Sequence, residues 1–188
     1  MRRFIENLRQ SNALVLDTET TGLDNKAEIL QIGIVALNGD ELFNSLVQPA
    51  KARRWSEAMQ IHGISWRDVK NAPTIGQLAD DLRRILDGRL VAIYNASFDT
   101  RMLHQSIRVA GATNQYQWLL DQDWEWECVM EAYAAHWGER NQRYGGYRWQ
   151  SLTKACRQQG LRVSNAHNAL GDAKLTAALI RKIEEKLS

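Results

Sequence analysis

The order of its apolar runs constrains this chain most. Residues 13–17 (ALVLD) and 29–37 (ILQIGIVAL) are short, aliphatic and bounded by Gly, Asn and Asp, the pattern of buried strands. Residues 41–47 (ELFNSLV) add a third strand, and Asn38-Gly39-Asp40 is a turn composition that joins the second and third as an antiparallel hairpin. Helical spacing then takes over. Residues 56–61 read as a short helix, and 74–86 place Ile75, Leu78, Leu82, Ile85 and Leu86 three to four apart before Asp87-Gly88 stops them. A fourth strand at 90–94 precedes a helix at about 97–110, with Phe98, Met102, Leu103 and Ile107 on its apolar face and Gly111 at its close. A fifth strand near 126–129 and helices near 129–137, 150–159 and 168–187 complete the pattern. Strands separated by helical crossovers pair in parallel, so the expected class is α/β, a mixed five-stranded sheet flanked by helices.

At 188 residues the chain reads as a single domain, 1–188, able to bury about 70% of the surface its unfolded form exposes. Lys and Arg total 24 against 22 Asp and Glu, so any basic footprint for an anionic partner must be local. No apolar run approaches the ~20 residues needed to cross a bilayer, and the N-terminus lacks an export signal. These features point to a cytoplasmic protein with no membrane partner. Cys128 and Cys156 form no paired motif and are expected as buried free thiols, and the seven Trp are expected to take the place of Phe in the core.

Acidic residues are placed unusually. Asp17 and Glu19 stand two apart at the carboxyl end of the first strand, where period-two geometry sends both carboxylates to one side. Asp99 falls in the first turn of the helix after the fourth strand, and Asp172 near the start of the last helix. Singly, each has a bland reading: Asp99 as a favourable first-turn charge, Asp17 as a turn former. Together they would repel unless divalent cations with hard oxygen ligands, magnesium or manganese, offset the charge.

The strings DTETTG (17–22), NASFD (95–99) and HNALGD (167–172), with the lesser Ile61-His62-Gly63-Ile64, resemble those of the DEDDh 3′–5′ exonucleases of the DnaQ group. That group has a ribonuclease H-like fold and includes proofreading subunits, RNase T, oligoribonuclease and exonuclease X. The resemblance spans about residues 13–183. It implies that Asp17, Glu19, Asp99 and Asp172 bind two divalent cations and that His167 is the general base. It further implies that Thr20 and Leu23 meet the terminal sugar and base, with His62 and Asn95 beside the substrate. Leu23 has core packing as its alternative. Tyr94 departs from the pattern, standing where many relatives have His.

On one continuous helix His167 and Asp172 would face about 140° apart, so residues 164–167 read as a non-helical lead-in that lets the imidazole swing over the metals. The small residues Ala169, Gly171 and Ala173 would let this segment approach the sheet. Two basic segments could guide a strand: Lys51, Arg53 and Arg54 with Trp55, and Arg140, Arg143 and Arg148 interleaved with Tyr144, Tyr147 and Trp149. The second could equally be a solvated loop anchored by aromatics. Asp121, Asp123 and Glu125 mimic a calcium loop, but Trp126 stands where that loop needs Gly. The expected partner is the 3′ end of a nucleic acid, DNA ahead of RNA, with single-stranded ends preferred. An exoribonuclease like RNase T or oligoribonuclease, and a non-catalytic end-binding or polymerase-associated module, remain as alternatives.

Overall fold

A computed structural model describes residues 1–120, 125–163 and 167–187. Strands β1 (Leu14–Thr20), β2 (Ile29–Ala36), β3 (Glu41–Leu46), β4 (Val91–Ile93) and β5 (Trp126–Cys128) form one sheet in the order β3-β2-β1-β4-β5. The β1–β2 and β2–β3 pairs are antiparallel, and β1–β4 and β4–β5 are parallel. This is the expected mixed α/β sheet of ribonuclease H-like type. Helices α1 (Arg2–Gln10), α2 (Ser56–His62), α3 (Trp66–Val69), α4 (Ala79–Leu86), α5 (Ala96–Val109), α6 (Gln117–Leu120), α7 (Val129–Trp137), α8 (Leu152–Gln158) and α9 (Ala169–Leu187) flank it.

Several boundaries differ from the sequence reading for local reasons. The helix expected over 74–86 opens as a 3₁₀ turn at Ile75–Leu78, capped by Thr74, before α4 begins. The amphipathic α1, read only as a non-signal, buries Ile5 and Leu8. Tryptophan does not fill the core. Trp55 is the buried one among the described tryptophans, whereas Tyr116, Tyr133 and aliphatic side chains are the large, fully enclosed groups. Both cysteines are buried and unpaired, as expected. Among the described residues no helix is long and apolar enough to cross a membrane. The acidic segment at 121–124 and the lead-in at 164–166 lie outside the described residues.

One contact sets the site. Helix α9 crosses the sheet so closely that a Cβ on Gly33, in the middle of β2, would lie 2.4 Å from the backbone nitrogen of Leu170. The sheet thus supplies the close approach that the small residues of α9 were expected to give. Ala169 and Ala173 are buried, while Gly171 makes room for the Asn168 side chain. Gln31, two residues from Gly33 on β2, accepts the Ala169 N–H at 3.1 Å and donates to Asn44 of β3 at 3.0 Å. A polar clamp and a missing side chain therefore fix where α9 starts.

Gly33→Ala pits a methyl group against backbone, and overpacking of this kind costs about 1–3 kcal/mol. We expect calorimetry to show Tm lowered by about 2–4 °C for each kcal/mol lost. Gly76→Ala, whose added Cβ meets Ala112 at an ordinary 3.5 Å, serves as the control. Equal Tm values for the two variants would mean that α9 is free to shift.

Candidate active site

Strand β1 outlasts β4. Their last pair is Leu16 with Ile93, so Asp17 and Glu19 sit beyond the end of β4, within β1 and not at its end as the sequence suggested. They remain held on the other side by β2, opposite Gly33 and Gln31. Alternation along the strand turns both carboxylates to the face covered by α9. The clamped start of α9 places Asp172 over them. A carboxylate oxygen from each of Asp17, Glu19 and Asp172 lies within 4.8 Å of the others.

Asp99 stands beside this trio. It is 4% exposed, and its Oδ1 accepts the Thr18 backbone N–H at 3.1 Å and the Thr18 hydroxyl at 2.7 Å. Because the β1–β4 ladder has ended, the Thr18 N–H has no strand partner on that side, and Asp99 takes the place of one.

The electrostatics are adverse. Burial, with the charges of Asp99, Asp172 and Glu19 added to it, pushes the Asp17 carboxyl well above its ordinary range. Burial first, then Asp172 and Asp99, brings Glu19 up to about 7. Burial also pushes Asp99 up to about 7 against the opposing hydrogen bonds from Thr18. Asp172 is raised by burial, partly offset by His167. Among the described residues neither Asp17 nor Glu19 accepts a hydrogen bond. Glu28 makes the contrast: almost fully enclosed, it accepts the backbone N–H groups of Ala50, Lys51 and Ala52 at 2.6, 3.0 and 2.6 Å. Donors offset the burial of Glu28, whereas Asp17 and Glu19 are buried together without any, a repulsion that a cation would relieve.

His167 precedes α9 and is half-exposed, with Nδ1 3.5 Å from Asp172 Oδ2. The helix begins at Ala169, and Asn168 caps it by accepting the Gly171 N–H on its side chain at 2.8 Å. The break expected before the helix is therefore present at His167, and it brings the imidazole to the carboxylate instead of away from it.

A cleft of about 660 Å³ opens beside the acids, lined by Glu19, Thr20, Leu23, Trp55, His62 and Phe98 among others. Leu23 is 78% exposed, which excludes core packing. His62 Nδ1 accepts the Ile64 N–H at 3.0 Å, so Nε2 carries the proton and donates to the Thr20 carbonyl 3.1 Å away. Burial lowers its pKa, keeping this tautomer neutral. Thr20 donates its hydroxyl to the Gly22 carbonyl, shaping the turn. Asn95 is not brought to the cleft wall; its Oδ1 accepts the Ser97 hydroxyl at the start of α5. Tyr94, the departure from the family pattern, is buried and donates to the Gln150 carbonyl at 2.8 Å.

Sequence reasoning missed several contributors. Phe98 was assigned to the core face of α5, yet it is only half-buried and lines the cleft, with Arg101 over its ring at 5.4 Å and that guanidinium donating to the Leu23 carbonyl. Gln31 and Gly33 were read as strand residues alone, although a glycine inside an aliphatic strand is itself a signal of close approach. Arg53, a candidate strand guide, stacks on Trp66 at 4.5 Å and donates to nearby carbonyls.

Residues 14–180 match the RNase T exonuclease family, nearly the whole of this arrangement. The chain belongs to that family. This exonuclease is of the DnaQ-like, 3′–5′ kind. It is 34% identical over 173 residues to an exonuclease of Escherichia phage 186, covering 91% of this chain and 87% of the phage protein. It resembles exonuclease X, solved in complex with 5′-overhanging duplex DNA, with a TM-score of 0.65 at 25% identity over 94% of this chain and 93% of that one. The Escherichia coli exonuclease I–single-stranded DNA complex shares the fold, with a TM-score of 0.71 at 17% identity, covering 92% of this chain and 40% of that one.

The raised carboxyls give a signed pH dependence. Glu19 and Asp99 bind more protons folded than unfolded, so their favourable contribution is fully present below their unfolded values of roughly 4 and is lost as pH rises through about 7. With a chelator present, Tm should fall across that window, and a divalent cation should restore it while releasing protons. A flat profile in chelator would show that the acids are not mutually destabilising.

Proposed function

We propose that this exonuclease is a DEDDh enzyme that hydrolyses the terminal phosphodiester of DNA from the 3′ end, preferring single-stranded ends and releasing nucleoside 5′-monophosphates. The observation that carries the reading is the convergence of Asp17, Glu19 and Asp172, the two strand acids without a hydrogen-bond donor among the described residues, beside a half-exposed His167. Asp17, Glu19, Asp99 and Asp172 would hold two magnesium or manganese ions, since hard carboxylate oxygens with raised pKa values suit such cations. Bound there, the cations would acidify the attacking water and stabilise the leaving 3′ oxygen.

The protein's own groups do the rest. His167 takes the water's proton: Asp172 faces Nδ1, which leaves Nε2 as the acceptor. Thr20 and Leu23 receive the terminal nucleoside, Leu23 offering an exposed apolar surface to the base. His62 holds the Thr20 carbonyl in position, and Asn95 braces the start of the helix that carries Asp99. DNA is favoured over RNA because exonuclease X and exonuclease I were each solved with DNA. We read residues 1–188 as one exonuclease domain. Two unpaired cysteines suit a reducing compartment, and we place the enzyme in the cytoplasm.

Single- and double-stranded DNA and RNA labelled at the 5′ end, incubated with magnesium, manganese or chelator, should give metal-dependent ladders shortening from the unlabelled end, fastest on single-stranded DNA. Binding without shortening would instead favour an end-binding module. His167→Ala should lower kcat by about 10²–10⁴-fold, the span expected for loss of a general base. A rate within threefold of the parent would assign the proton acceptor elsewhere. Asp17→Ala should abolish turnover while strand binding persists.

A further inference from the structure

Residues 139–150, between α7 and α8, form a small hairpin whose outer surface has no work to do within the fold. Arg140 bridges Tyr147, the Arg148 N–H donates to the Glu139 carbonyl at 2.8 Å, and Asn141 accepts the N–H groups of Arg143 and Tyr144. Gly145 and Gly146, at φ of 73° and 67°, turn the tip back in a conformation that other residues rarely adopt. Gln150 ties the root down: it is buried, donates to the Glu139 carboxylate and the Arg148 carbonyl, and its own carbonyl accepts the Tyr94 hydroxyl.

The tip is exposed and cationic. Tyr144 is 78% exposed and Trp149 63%. Arg143 lies over the Tyr144 ring at 5.3 Å and Arg140 over Tyr147 at 4.8 Å. Arg148 and Lys154 pair with Glu139, but neither Arg140 nor Arg143 has an acidic partner among the described residues. Pre-ordered rings stacked with unpaired guanidinium groups suit a flexible, anionic chain that carries flat bases.

Position decides which part of that chain. The acids lie on β1, in the middle of the sheet. On one side is the cleft, whose wall includes Trp55, packed with Leu30 of β2. The hairpin is rooted on the other side, through Tyr94 at the end of β4. A strand with its last nucleoside in the cleft and its scissile phosphate at the acids must leave away from the cleft, on the β4 side.

We propose that this hairpin is a second binding site of the exonuclease, an arm that holds single-stranded nucleic acid on the 5′ side of the scissile phosphate. Bases stack on Tyr144 and Trp149, and Arg140 and Arg143 meet the backbone phosphates. The inference rests on the hydrolytic reading of the acid site above and adds a length-dependent contribution to it.

The test separates the two readings. Binding is measured by anisotropy in chelator with labelled oligothymidylate longer than the roughly 4–16 nucleotides such a surface engages, and turnover is measured on that oligomer and on a dinucleotide too short to reach the hairpin. The Arg143→Ala/Tyr144→Ala double variant should raise Kd and KM for the oligomer about tenfold or more, with kcat on both substrates and KM on the dinucleotide held. Tyr144→Phe should bind like the parent. Arg143→Ala alone should reduce the slope of log affinity against log salt by about 0.7, one phosphate contact on a single strand. Unchanged oligomer binding, or equal losses on oligomer and dinucleotide, would overturn the proposal. So would a variant whose affinity holds while its sedimentation changes, since that makes the hairpin a contact between copies of this chain. If the parent turns over neither substrate with magnesium or manganese, the hydrolytic reading fails, while the binding comparison in chelator still decides the hairpin.

Discussion

Crowded, buried carboxylates are the constraint around which this molecule is arranged. Bringing Asp17, Glu19 and Asp172 within 4.8 Å of one another, with Asp99 alongside, opposes folding at neutral pH, because burial and mutual repulsion both penalise the charged forms. A fold tolerates such a cluster only if the rest of the core holds it rigidly, and here the holding is done by backbone. Strand β1 runs on past β4 while still paired to β2, so the two acids on it cannot relax apart.

Rigidity reaches Asp172 through the sheet. Gly33 lets α9 come close enough that its first turn sits over the strand acids, and Gln31 secures that turn by accepting the Ala169 N–H. The same short stretch of β2 therefore pairs with the strand that bears two of the clustered acids and positions the helix that bears another. Asp99 is set by a different device, the N–H and hydroxyl of Thr18 left free where the β4 ladder stops. Glu28 shows how the chain treats an acid meant for structure, enclosing it among the N–H groups of a loop.

Much of this was legible in the sequence. Hairpin and crossover patterns are local, so the mixed sheet and most helices could be read from periodicity and turn residues, and the acids stood out by their two-apart spacing on the first strand and their places at the starts of two helices. Residues whose role depends on a distant partner were not legible. Phe98 carries the spacing of a core residue but sits where α5 meets the turn at Leu23, and only that meeting turns it toward the cleft. Tryptophan was expected inside because it is large and apolar, yet Trp126, Trp137 and Trp149 are exposed, and the large enclosed rings are Tyr116 and Tyr133. The break before the last helix was legible, but that the imidazole comes to lie 3.5 Å from Asp172 was not.

The sequence by itself determined the strand and helix order, the residue types of the acid cluster and the break before the last helix, because each depends on neighbours a few positions away. Tertiary structure decided which carboxylates converge, that Asp99 is held by Thr18, that Leu23 is open to solvent and that the hairpin at 139–150 is rooted on Tyr94, just past β4. Those outcomes depend on how far β1 outruns β4 and on how closely α9 approaches Gly33. Both are distances between segments remote along the chain, which only packing fixes.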